Sequence, residues 1–233
     1  MTSYGPKAVL WDMDGTIVDT EPHWIRSQHE FLTRRGLPPL SAAQEMRLVG
    51  ASPTITAEVF HEQGAVGNAA EFAAEVTAEV VVSVRRSVDA RPGALELLRD
   101  MHAAGIPLAL VTNSSRTLVD AVVEGLGIED VFATCVAAED VTEGKPDPEP
   151  FVTAASRLGI SAAQCLVIED SRNGLRGALA AGCTALAVPH GVAIDPHPDY
   201  LRLDSLRGVT WQDLCELFVA FHQRGEHHAD DSA

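Results

Sequence analysis

Beyond Arg91-Pro92-Gly93 the chain alternates short apolar runs with amphipathic stretches, a texture that restricts its fold more than any other feature. Helical spacing over 94–104 is followed by a strand-like run at 107–112, a helix at 116–125 and a short strand near 132–136. A helix at 148–158, a strand at 165–168, a helix at 173–181 and a strand at 184–188 continue the series. Strands separated by helices pair in parallel through crossovers that cover both faces of an open sheet. One further strand-like run, Lys7-Ala8-Val9-Leu10-Trp11, stands far upstream and stops at Asp12. From Pro22 to about residue 87 the pattern is helical, broken at 36–39, 50–53 and 64–67, with no strand-like run. These segments read as an α/β core, residues 1–20 and 89–233, interrupted after its first strand by an all-helical insert, 21–88. An amphipathic helix at 211–223 closes the core, and 225–233 reads as a frayed polar tail in which His227-His228 are solvated.

At 233 residues the chain is long enough to bury a sizeable core. Its 33 acidic and 17 basic residues leave a net charge of −16, which argues against nucleic acid or an anionic membrane surface as partner. Most of that surplus reads as solvated surface, with a minority of carboxylates available to a metal. The lysines are Lys7 and Lys145; every other basic residue is arginine. Cys135, Cys165, Cys183 and Cys215 form no CxxC pair and read as buried apolar fillers in a reducing, cytoplasmic setting. No uninterrupted apolar run approaches 18 residues, so no membrane span is expected.

In such sheets ligands bind beyond the carboxyl ends of the strands. Strand one delivers Asp12-Met13-Asp14-Gly15-Thr16, two acids at i and i+2 with a glycine for the sharp turn. An ordinary Asp-Gly turn explains Asp14 but not Asp12. Val111-Thr112-Asn113-Ser114-Ser115 brings hydroxyl and amide groups to a helix start, either as a helix cap or as an anion cradle. Gly144-Lys145-Pro146-Asp147-Pro148 is a stiff turn carrying one of the two lysines, and a lone lysine in a turn is usually surface decoration. Val167-Ile168-Glu169-Asp170-Ser171 ends another buried strand with two acids, which could instead cap the next helix. Taken together, carboxylates, a hydroxyl and a lysine at four strand ends of one sheet suit Mg²⁺ with a substrate phosphate.

The series Asp-x-Asp-Gly-Thr-x-x-Asp, Thr-Asn, Gly-Lys-Pro and Glu-Asp resembles the four motifs of the haloacid dehalogenase-like superfamily, in order, over residues 7 to about 190. The resemblance implies a Rossmann-like open parallel sheet with helices on both faces, and makes the insert a helical cap domain. That cap is similar to the subgroup of β-phosphoglucomutases and sugar-phosphate phosphatases. It implies Asp12 as a nucleophile forming an aspartyl-phosphate, and Asp14 as acid to the leaving alcohol and then base to water. It implies Thr112, Asn113 and Lys145 as the phosphate-binding set. Mg²⁺ would lie on Asp12, the backbone carbonyl of Asp14, Asp170 and, directly or through water, Glu169. The expected partner is a small phosphorylated metabolite.

Within the resemblance, Asp14 favours phosphoryl transfer, because the dehalogenases lack the second acid. Phosphonate hydrolases of similar fold need a cap lysine, and residues 21–88 contain none. In the mutases a histidine follows the first motif and a cap arginine grips a second phosphate. Here Trp24 takes the histidine's place with His23 one residue earlier, and Pro53 stands where the arginine is expected, with Arg47 close by. The Glu-Pro-x-Trp pattern is similar to hexose-phosphate phosphatases, so a Mg²⁺-dependent sugar phosphatase is expected, with a mutase as the alternative. Substrate choice would rest on His23 and Trp24 and on the cap loop with Gly50 and Ser52. A phospho-receiver domain shares an acid pair, a Thr and a Lys but has no room for the insert. A dinucleotide-binding module fails because no GxGxxG follows strand one.

Overall fold

Strand β1 (Ala8–Trp11) is buried along its whole length, and its side chains alternate between two apolar clusters. Ala8 and Leu10 enter one, Val9 and Trp11 the other, as the period of two requires. A computed structural model describes residues 5–48, 51 and 53–230. Next to β1 lie β2 (Leu108–Val111) on one side and β4 (Cys165–Glu169) on the other. Beyond them are β3 (Thr134–Val136), β5 (Thr184–Ala187) and the two-residue β6 (Leu201–Arg202). The order is β3-β2-β1-β4-β5-β6 and every pairing is parallel, a Rossmann-like sheet. The chain winds outward from β1 to β3, then returns to β4, so the crevice of this sheet opens between β1 and β4.

Between β1 and the rest of the sheet run four helices, α1 (Glu21–Arg34), α2 (Ala42–Leu48), α3 (Pro53–Glu62) and α4 (Ala69–Arg86). Asn68 starts α4 with a reciprocal cap: its side chain accepts from the Glu71 N–H, and the Glu71 carboxylate accepts from the Asn68 N–H. Three of the helices, α1, α3 and α4, meet through one phenylalanine each. Phe31 and Phe60 stack with centroids 4.5 Å apart, and Phe72 meets them at 5.3 and 5.6 Å. Each such pair contributes ~0.5–1.5 kcal/mol beyond area burial. The chain enters and leaves this unit side by side: Val18 pairs antiparallel with Ala90, and the Arg91 N–H donates to the Ile17 carbonyl at 2.7 Å.

On the sheet, α5 (Ala94–Ala103), α6 (Arg116–Leu126) and α9 (Trp211–Asp230) cover the face of Val9 and Trp11. The opposite face is covered by α7 (Glu149–Leu158) and α8 (Arg172–Ala180). Helix α4 packs against both α1 and α6, so the apolar cluster on that face runs on into the insert.

Three features depart from the expectations. Strand β6 was not foreseen, since Leu201 and Arg202 follow a polar, proline-containing run. Helix α9 continues to Asp230, past the end at 223 read from the sequence. Of the cysteines, Cys165 and Cys183 are buried, but Cys135 and Cys215 are only half-buried. Among the described residues no helix is long and apolar enough to cross a membrane.

Candidate active site

Register brings the motif residues together. Trp11 is aligned with Ile168 on β4 and Leu110 on β2, so the residues that follow, Asp12, Glu169 and Val111-Thr112, emerge side by side. The Asp12 N–H still donates to the Ile168 carbonyl at 3.0 Å. From the loop between β3 and α7 comes Lys145, whose Nζ donates to Asp12 Oδ1 and Glu169 Oε1, each at 2.6 Å. All three are buried. Glu169 Oε2 accepts from the Ser171 N–H at 2.9 Å and its hydroxyl at 2.8 Å, so both carboxylate oxygens of Glu169 are engaged. Asp12 Oδ2 is buried with no hydrogen-bond partner. Asp12, Glu169 and Asp170 each offer an oxygen, all within 4.8 Å of one another, an acidic cluster able to hold a metal ion.

Two glycines permit this crowding. Gly15 has φ of +87°, and a Cβ there would fall 2.0 Å from Asp170 Oδ2. A Cβ on Gly174, in the first turn of α8, would fall 1.8 Å from Glu169 Oε1. Sequence reasoning found the first glycine and missed the second. The signal was a glycine in the first turn of a helix that follows an acid pair.

The charges do not balance on their own. Burial, then Glu169 and Asp170, push Asp12 well above the usual carboxylate range, with Lys145 pulling the other way. Asp170 is pushed up to about 7 by burial, Glu169 and Asp14, against Lys145 and Arg91. Burial works against the charge on Lys145, but Asp12 and Glu169 outweigh it and raise its pKa above the ordinary lysine value. Three clustered carboxylates beside one ammonium favour an added positive charge.

Asp14 is surrounded by hydroxyls. Its Oδ1 accepts from Thr20 Oγ1 at 2.6 Å, and its Oδ2 from Ser114 Oγ at 2.7 Å and Thr112 Oγ1 at 3.2 Å. Thr20 is the residue before α1, where a hydroxyl ordinarily caps the helix, yet it makes no cap bond. Neither Thr20 nor Ser114 was singled out from the sequence, because both read as helix starts. Asn113, expected among the phosphate-binding groups, directs its carboxamide to the Lys145 peptide: Oδ1 accepts from the Lys145 N–H at 2.8 Å, and Nδ2 donates to its carbonyl at 3.1 Å.

Of the residues expected to govern substrate choice, His23 and Trp24 take no part in this cluster's hydrogen bonds. His23 Nδ1 is 2.8 Å from Ser83 Oγ, joining α1 to α4, and burial followed by Arg26 lowers its pKa against Asp19 and Asp89. Trp24 is half-buried against the larger apolar cluster. Gly50 and Ser52 lie outside the described residues. A broad hollow among Glu96, Asp100, Arg207 and Trp211 is lined by none of the expected site residues.

A parallel sheet whose crevice gathers two aspartates from one strand end, a lysine and a second acid pair defines a class of phosphoryl-transfer hydrolases. The family model for haloacid dehalogenase-like hydrolases matches residues 6–182, and the chain belongs to that family. It is 34% identical over 224 residues to hexitol phosphatase A of Escherichia coli (strain K12), covering 94% of this chain and 97% of the relative. It is 30% identical over 204 residues to phosphoglycolate phosphatase of Yersinia pestis, covering 83% of this chain and 87% of the relative. The solved β-phosphoglucomutase of Clostridium difficile superposes with a TM-score of 0.75 at 22% identity, over 93% of this chain and 98% of that one, a likeness of fold alone. The chain is an enzyme of the phosphoric monoester hydrolase type.

Proposed function

We propose that the chain is a Mg²⁺-dependent phosphatase that hydrolyses a small phosphomonoester, a sugar or polyol phosphate, through an aspartyl-phosphate on Asp12. One observation carries this reading: Asp12 gives one oxygen to Lys145 and keeps the other buried and partnerless, in a cluster where Asp12, Glu169 and Asp170 each offer an oxygen within 4.8 Å of the others. An orphaned carboxylate oxygen in an all-oxygen donor set fits Mg²⁺, with Asp12, Asp170, the Asp14 carbonyl and Glu169, directly or through water, as its holders. Bound there, the ion would supply charge compensation for the phosphate.

Asp12 attacks phosphorus in line; the ester O–P bond breaks as the Asp12 O–P bond forms, and the Asp14 carboxyl proton passes to the leaving oxygen. Water then attacks phosphorus and gives a proton to Asp14; the Asp12 O–P bond breaks and phosphate leaves. Lys145 offsets the negative charge that Asp12 and the phosphoryl group share. Thr112, with Asn113 behind it, faces the phosphoryl group. The helices of 21–88 form a cap domain over the core of 1–20 and 89–233, and His23, Trp24, Gly50 and Ser52 shape the space above the phosphate. The Escherichia coli relative's hexitol phosphatase activity favours a polyol or sugar phosphate over phosphoglycolate.

The test is a phosphate-release screen over hexitol phosphates, hexose phosphates and phosphoglycolate, with Mg²⁺ or with a chelator. Turnover lost on chelation and in Asp12→Asn is the expected result. Conversion of β-glucose 1-phosphate to glucose 6-phosphate without free phosphate would establish a mutase instead.

A further inference from the structure

The hydroxyl of Ser114 has one hydrogen-bonding role among the described contacts: it donates to Asp14 Oδ2 at 2.7 Å. Its backbone is fixed without that hydroxyl. The Ser114 N–H donates to Thr112 Oγ1 at 3.0 Å, and its carbonyl accepts from the Ala138 N–H at 3.0 Å. The cap of α6 is supplied by the next residue, Ser115, whose side chain accepts from the Leu118 N–H. A serine beside a helix start therefore has neither a cap to form nor a loop to hold, and its side chain is left to the second aspartate.

We infer that Ser114 is a positioning residue for proton transfer, fixing the Asp14 carboxyl in the orientation from which it serves the leaving oxygen. Thr112 reaches the same oxygen at the longer distance of 3.2 Å while its hydroxyl already accepts from the Ser114 N–H. Ser114 thus supplies the shorter contact to Oδ2, and Thr20 holds Oδ1. A serine hydroxyl rotates freely, so it can donate to the carboxylate and accept from the carboxylic acid in turn. That suits a group that loses a proton in one half of the reaction and regains it in the other.

The inference rests on Asp14 acting as acid and base, and leaving-group chemistry separates the two claims. An alkyl phosphate needs its leaving oxygen protonated, whereas 2,4-dinitrophenyl phosphate leaves as a stable phenolate. The quantity to measure is kcat/KM, which covers the steps up to phosphorylation of Asp12. In Ser114→Ala, kcat/KM on a hexitol phosphate should fall about 10- to 100-fold, and on the dinitrophenyl ester by less than about 3-fold. Ser114→Thr, which keeps the hydroxyl, should restore the alkyl ester to within about 5-fold of the parent. The ratio of the two rates is taken on one sample, so a partly unfolded variant does not disturb it. Equal losses on both esters, or no loss on either, would overturn the role of Ser114. Should Asp14→Asn lose only the alkyl ester while Ser114→Ala loses neither, the reading of Asp14 stands and that of Ser114 falls. Should Asp14→Asn spare the alkyl ester, both fall together.

Discussion

Asn113 grips Lys145 by its own peptide group, the carboxamide oxygen on the N–H and the carboxamide nitrogen on the carbonyl. A two-point bond of this kind fixes both position and rotation of the backbone that carries the ammonium. Asn113→Ala should lower kcat/KM about 10- to 100-fold and cost ~1–3 kcal/mol of stability, since a donor and an acceptor lose their partners. Asn113→Asp, which keeps only an acceptor, should fall between parent and alanine variant. Steady-state kinetics with urea melts checks both; an alanine variant with parental kinetics would refute the clamp.

Lys145 is the cation that Asp12 and Glu169 share. Lys145→Met should abolish turnover and strand two buried carboxylates, a loss of ~3–5 kcal/mol. The loss should shrink from pH 8 to pH 5, because Asp12, raised well above the usual carboxylate range, takes up a proton as the pH falls and leaves less charge stranded. Urea midpoints of the metal-free protein at the two pH values test this.

The raised Asp170 gives the metal-free protein a pH signature. Its ordinary value is 3.8 and its folded value about 7, so the folded state holds the extra proton between these limits. The stabilisation is full below about 4 and is lost as pH climbs through 7. Asp170→Asn removes the titration, so the stability of the variant relative to the parent should rise between pH 4 and pH 7 and level off above. Mg²⁺ added at pH 7.5 should raise the Tm of the parent more than that of the variant. Thermal melts over this range decide it; a flat difference would place the perturbed group elsewhere.

In an open helical position Gly→Ala stabilises by up to ~1 kcal/mol. At position 174 the sign should reverse, because the new methyl would overlap Glu169 Oε1. Gly174→Ala should lose ~1–3 kcal/mol and weaken the half-saturating Mg²⁺ concentration at least several-fold, as Glu169 gives up Lys145 or Ser171. Calorimetry and a Mg²⁺ titration of activity provide the two readouts.

Which residues stand at strand ends was legible because the apolar runs are local and stop abruptly at Asp12, Thr112 and Glu169-Asp170. Lys145 was legible through scarcity, one of two lysines in a stiff turn. What escaped notice has a competing local explanation. Thr20, Ser114 and Gly174 all have local explanations as helix starts; Ser114 reaches Asp14 across 100 residues, whereas Thr20 and Gly174 meet Asp14 and Glu169 from a few residues away, through turns that carry no periodic signal. Asn113 was read among the phosphate-binding groups from its place in Thr-Asn; its side-chain hold on the Lys145 peptide was not legible, because that turn arrives 32 residues later. Strand β6 is too short and too polar in its surroundings to carry a period of its own.

The paired linkers at Val18 and Ala90 have a consequence for how this scaffold can change. Both ends of the insert are fastened to one spot, so what the core asks of an insert is a pair of close termini and an apolar face for α6, which α4 now covers. The four-helix unit can be exchanged for another module whose termini are equally close, with the β1–β4 crevice and its acids left in place. Chimeras joined at 18 and 90 would thus inherit the core's chemistry from one parent and take their selectivity from the other.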